Sequence, residues 1–95
     1  MDSKVLDFKF ADTDLKIHLE NYQSNGSLAV TAYTLEQEPF MTLSVNLNKQ
    51  LNENEFFCKN YSENQGVFEE LINQGIVKYL GERLEPGIYK CKILL

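Results

Sequence analysis

Apolar residues recur at every second position in run after run of this chain, a period that restricts it to strands with one buried face. Leu6, Phe8 and Phe10 alternate with Asp7 and Lys9. After a turn at Ala11–Asp14, Leu15, Ile17 and Leu19 alternate with Lys16, His18 and Glu20. Asn25-Gly26 then predicts a hairpin, because both central residues of a type I′ turn need positive φ. Leu28 to Leu35, rich in Val, Thr and Tyr, reads as a third strand. A fourth runs from Phe40 to Leu47, entered through Pro39, which suits a strand start or an edge. Its Met41, Leu43, Val45 and Leu47 share one face, leaving Thr42, Ser44 and Asn46 to meet water. Asn48 to Asn54 reads as a polar loop, and Glu55 to Lys59 as a short fifth strand.

The period changes only once. Ser62-x-x-Gln65 fits a capping box, with Asn64 as an alternative N-cap. Val67, Phe68, Leu71 and Ile72 then form one apolar stripe, and Glu63, Glu69 and Glu70 load the solvent side. Gly75 stands where a left-handed C′ residue is wanted. Ile76 to Leu80 reads as a strand, Gly81 to Gly87 as a turn region, and Ile88 to Leu95 as the last strand. These signals predict an α+β fold: an antiparallel meander of five to seven strands with one helix, about residues 63–74, packed on one face.

Ninety-five residues fill a single domain, 1–95, with no room for a second core. The net charge of −5 is unevenly spread. Residues 1–70 carry twelve acids against five lysines, a balance of −7, whereas residues 71–95 carry +2. A basic stripe is missing over most of the chain, which argues against direct binding of nucleic acid. No signal peptide or membrane-spanning apolar run is visible, so a cytoplasmic setting is expected, with Cys58 and Cys91 reduced and packed as small apolar groups.

Residues with catalytic potential are few and scattered. His18, the only histidine, lies on the polar side of a strand pattern. One histidine and two distant cysteines do not have the close spacing of a zinc site. Asp12-x-Asp14 is too short for a calcium loop, and no Gly-rich phosphate loop exists. Neither Asp12 with Asp14 nor Glu69 with Glu70 comes with an apolar segment that would raise one carboxyl pKa. No catalytic residue, metal or cofactor is assigned. Phe40, Phe56 and Phe57 raise a different possibility. Adjacent Phe56 and Phe57 point to opposite sides of a strand, so either one ring is exposed as a protein-binding spot or helix and loop bury both.

EPFMTLSVNL, NEFFCKNYSENQG, LINQGIVKYLG and PGIY together resemble a family of small uncharacterised proteins carried by phages and integrative elements of Gram-positive and related bacteria. The resemblance covers about residues 36–90 and rests on Glu38-Pro39, Asn46, Asn60-Tyr61, Asn64, Gly66, Gly75, Gly81 and Gly87. It implies an accessory, non-enzymatic protein of a mobile element, with inhibition of a host defence nuclease as one such role. The function expected is therefore a protein-interaction module, monomeric or homodimeric, that binds a basic host protein. The alternative is a structural homodimer. The contact residues expected are Asn52, Glu53, Asn54, Glu55, Phe56, Glu63, Glu69 and Glu70.

Overall fold

Strand alternation resolves into two sheets rather than one meander. The computed structural model describes residues 4–24, 26–47, 49, 51–85 and 87–94. In chain order the strands are β1 (Lys4–Phe10), β2 (Thr13–Asn21), β3 (Leu28–Thr34), β4 (Pro39–Thr42), β5 (Ser44–Val45) and β6 (Glu55–Lys59). A 3₁₀ turn (Ser62–Asn64) and α1 (Val67–Asn73) follow, then β7 (Val77–Glu85) and β8 (Ile88–Ile93). The molecule is α+β, with eight strands among the described residues instead of five to seven. One antiparallel sheet has the order β1-β2-β3-β4, the other β5-β6-β8-β7.

The chain passes from one sheet to the other at Leu43. Its N–H donates to Val30 O at 2.8 Å, and its C=O accepts from Lys59 N at 2.8 Å, so one residue is bonded into both sheets. This breaks the alternation expected across Phe40–Leu47. Leu43 and Ser44 are consecutive and both buried, and Ser44 does not meet water. Its hydroxyl accepts from Val30 N–H at 3.0 Å and shares a 2.8 Å bond with the Tyr22 hydroxyl, which satisfies the buried oxygen. Strands that change sheets commonly bend in this way.

The β1–β2 connection has the two positive φ angles of a type I′ turn. Phe10 pairs with Thr13, and Ala11 and Asp12 have φ of 52° and 61°. β2 and β3 form the hairpin expected around Asn25-Gly26, with Tyr22 N–H donating to Ser27 O at 2.8 Å beyond the strand ends. Asn25 itself lies outside the described residues, as do Asn48, Gln50, Pro86 and Leu95 of the other expected loops and strands. The expected turn at Gly81–Gly87 is also corrected. Gly81 lies inside β7, where the register against β8 shifts between Tyr79 and Glu82, so this glycine makes a bulge and not a strand end.

The inner faces of both sheets share one core. Phe8, Leu15, Ile17, Val30 and Ala32 face it from the first sheet, and Phe56, Cys58, Cys91 and Ile93 from the second. Val67, Phe68 and Leu71 of α1 complete it. Ile72 does not; it is exposed, because the helix is seven residues long and only three of the four expected positions turn inward. Phe68 stacks on Tyr89 with ring centroids 4.4 Å apart. Phe57 and Ile88 are buried on the opposite side of the second sheet, outside this cluster.

Candidate functional site

The helix entrance is built by Asn60, two residues after Cys58, the last apolar position of β6. Its Oδ1 accepts from Gly66 N–H at 3.0 Å and Phe68 N–H at 2.9 Å. A side chain from outside the helix thus satisfies two of its otherwise unpaired amide groups. Ser62 and Gln65 do not form the expected capping box. Ser62 is in the 3₁₀ turn with φ of 57°, and the helix N-cap is Gly66, with no side-chain cap bond of its own. Asn64 is buried and donates from Nδ2 to Thr42 O at 2.6 Å, which ties the turn to β4.

The helix exit follows the Schellman pattern. Ile76 N–H donates to Leu71 O at 2.9 Å and Gly75 N–H to Ile72 O at 3.0 Å, with Gly75 at φ of 73°. Ile76 and Leu71 belong to the same core cluster, which supplies the apolar contact of that motif.

The structure divides the expected contact residues into three groups. Glu63 and Glu69 are exposed near Asn60: Lys59 Nζ reaches Glu63 Oε2 at 2.9 Å, and Asn60 Nδ2 donates to Glu69 Oε2 at 3.5 Å. The Lys59 hydrogen bond holds the Glu63 carboxyl at about 2, well below the usual carboxylate range, and raises Lys59 in return. Asn52 and Glu53 are exposed at the other end of β6. Four residue steps of strand, about 13 Å, separate the two ends, so the acids do not form one continuous patch.

The remaining residues serve the fold. Phe56 is only 1% exposed and Phe57 likewise, so both rings are buried, Phe56 in the core with α1 and Phe57 outside that cluster. Glu55 is 9% exposed, accepts from Asn52 N–H at 2.9 Å, and lies 3.8 Å from Lys90 Nζ. It closes the turn before β6, with Asn54 half-buried in the left-handed region at φ of 66°. Glu70 accepts from Gln74 Nε2 at 3.0 Å, within the molecule.

Two exposed residues that pattern reading did not single out stand beside Glu63 and Glu69. Tyr61 lies under Lys59 Nζ, 5.3 Å from the ring centroid, and is 41% exposed. Ile72 is 39% exposed, and with Glu69 and Asn73 it occupies i, i+3, i+4 positions of one helix face. Tyr61 read as a turn residue and Ile72 as core, so only their exposure distinguishes them.

Elsewhere, His18 packs against Tyr33 with centroids 4.4 Å apart. A groove of about 340 Å³ runs between Asp7, Lys9, Asp14, Leu35 and Gln74, away from His18 and both thiols. Burial, and a hydrogen bond to the Cys58 thiol, push the Cys91 thiol up, which keeps Cys91 neutral and poorly nucleophilic. Among the described residues, no three His, Cys, Asp or Glu side chains converge in a group that could hold a metal ion. No described helix is long and apolar enough to cross a membrane.

The chain matches no protein-family model, no curated protein and no solved structure.

Proposed function

We propose that this chain is a non-catalytic protein-interaction module whose contact surface is the exposed outer side of the 3₁₀ turn and α1. One observation carries the reading. Two exposed apolar side chains, Tyr61 and Ile72, flank two exposed carboxylates, Glu63 and Glu69, on a segment anchored at both ends by Asn60 and the Schellman turn. Interface centres favour an aromatic anchor on a rigid frame, with charges at the rim that steer encounter. The partner is a basic protein, in a cytoplasmic setting. The resemblance to mobile-element proteins adds a host defence nuclease as its class.

Affinity capture from a Gram-positive host, with the wild-type protein and a Tyr61→Ala/Ile72→Ser variant in parallel, tests this. A specific basic protein recovered by the wild type and lost with the variant supports the proposal. The partner's association should slow with added salt and with Glu63→Lys/Glu69→Lys, because charge complementarity acts chiefly on encounter. Recovery unchanged in both variants would place the interface elsewhere.

A further inference from the structure

The outer edge of β1 is occupied at one place by a side chain that imitates a strand. Lys9 N–H donates to Gln74 Oε1 at 3.1 Å, and Gln74 Nε2 donates to Lys9 O at 2.6 Å. A carboxamide is chemically a peptide group, and this donor–acceptor pair is the one a neighbouring strand would make. Its orientation is set from two sides. Gln74 is the C-cap residue of α1, fixed by the Schellman turn that follows, and its Nε2 also donates to Glu70 Oε1 at 3.0 Å.

Because Lys9 directs its backbone away from β2, strand alternation directs those of Asp7 and Val5 outward too. Among the described residues no strand pairs with this edge, and no backbone bond outside the β1–β2 ladder reaches Asp7 or Val5. Val5 is half exposed. The free edge is thus two residues long with Gln74 seated and three without it.

We propose that the β1 edge is a strand-addition surface for β1 of a second copy, and that Gln74 is the gate that keeps it closed. A two-fold axis through Asp7 sets Val5 opposite Lys9 of the second copy, using every outward-facing group of the edge. Asp7 then faces its own counterpart, and each is already neutralised by an ion pair with Lys16 of its own chain. Gln74 blocks this register, because it holds the Lys9 backbone. Edge strands are commonly protected by charge, proline or a covering element, and here a single amide does so.

Sedimentation velocity over a concentration series, on wild type, Gln74→Ala and Gln74→Glu, tests the gate. The glutamate cannot donate to Lys9 O and is repelled by Glu70, so both changes should open the edge. The expected result is monomeric wild type and self-association at least tenfold tighter in each variant, with faster amide exchange at Lys9 in their monomers. Adding Lys9→Pro to Gln74→Ala should restore the monomer. Lys9 N–H makes no bond to β2, so proline removes only the outward donor. Variants that stay monomeric overturn the proposal, as do dimers that survive Lys9→Pro or a wild type that associates as tightly as the variants.

Discussion

Individual residues hold this fold at points where backbone groups would otherwise be stranded, and Asn60 is the clearest. Removing its carboxamide leaves Gly66 and Phe68 N–H without a partner at the helix start. Asn60→Ala should cost about 1–2 kcal/mol, the upper range for an N-cap, read as a lower denaturation midpoint at unchanged slope. Gly87 is constrained differently. A Cβ there would stand 3.0 Å from Tyr61 Cβ and 3.3 Å from Asn60 O, at a φ of 90°. Gly87→Ala should therefore destabilise by about 1–3 kcal/mol, and disturb Tyr61 as well. The Lys59–Glu63 pair makes a prediction about pH. The folded Glu63 carboxyl lies at about 2, below its unfolded value, so its contribution is present above pH 4.5 and fades as pH falls toward 2. Lys59 is raised, so its share is intact below its unfolded value of 10.5 and fades only above that pH. Following the Glu63 side-chain carbon by NMR should show a midpoint near 2; an ordinary midpoint above 4 would mean that the pair is not formed in solution.

At the scale of elements, the turns carry the most removable strain. Ala11 and Asp12 occupy both left-handed positions of the β1–β2 turn, and Gln37 takes the left-handed position of the three-residue β3–β4 loop. Each such non-glycine residue costs about 1 kcal/mol. Replacing Ala11-Asp12 by Asn-Gly, or Gln37 by Gly, should raise the thermal midpoint, whereas Gly26→Val should lower it, since Gly26 has φ of 74°. These turns also show what pattern reading could recover. Alternation located β1, β2 and β3, where every second position turns inward, whereas β6 and β8, also expected as strands, bury residues on both sides. The type I′ signal of Asn-Gly falls on Asn25, outside the described residues, while the Phe10–Thr13 register puts Ala-Asp at two positive φ angles at a cost in energy. The sheet change at Leu43 was not legible, because a buried serine in alternating sequence looks solvent-facing until Tyr22 and Val30 arrive from elsewhere to bond it. The candidate contact surface was partly legible for the same reason. Glu63 and Glu69 were visible as the polar side of a helix. Tyr61 and Ile72 emerged only from their exposure in the folded chain.

Across the whole molecule, the two sheets are not independent units. Leu43 is bonded into both, the core cluster draws on both inner faces, and Gln74 joins the helix to β1 across 65 residues of sequence. Neither sheet can open without exposing the inner face of the other, so unfolding should be a single cooperative transition. Near-ultraviolet dichroism reports the packed rings of Phe68 in α1 and of Tyr79 and Tyr89 in the second sheet, and backbone dichroism reports all strands. The two curves should coincide, with a calorimetric enthalpy of about 65 kcal/mol near 60 °C matching the van't Hoff value. Leu43→Ala removes a fully buried side chain at the crossover and should cost about 2–5 kcal/mol while the curves remain superimposed. Separated transitions, in the wild type or in that variant, would show that the first sheet holds together without the second. The long-range bonds through Leu43 and Gln74 would then be decoration on two folding units and not the frame that presents Tyr61, Glu63, Glu69 and Ile72.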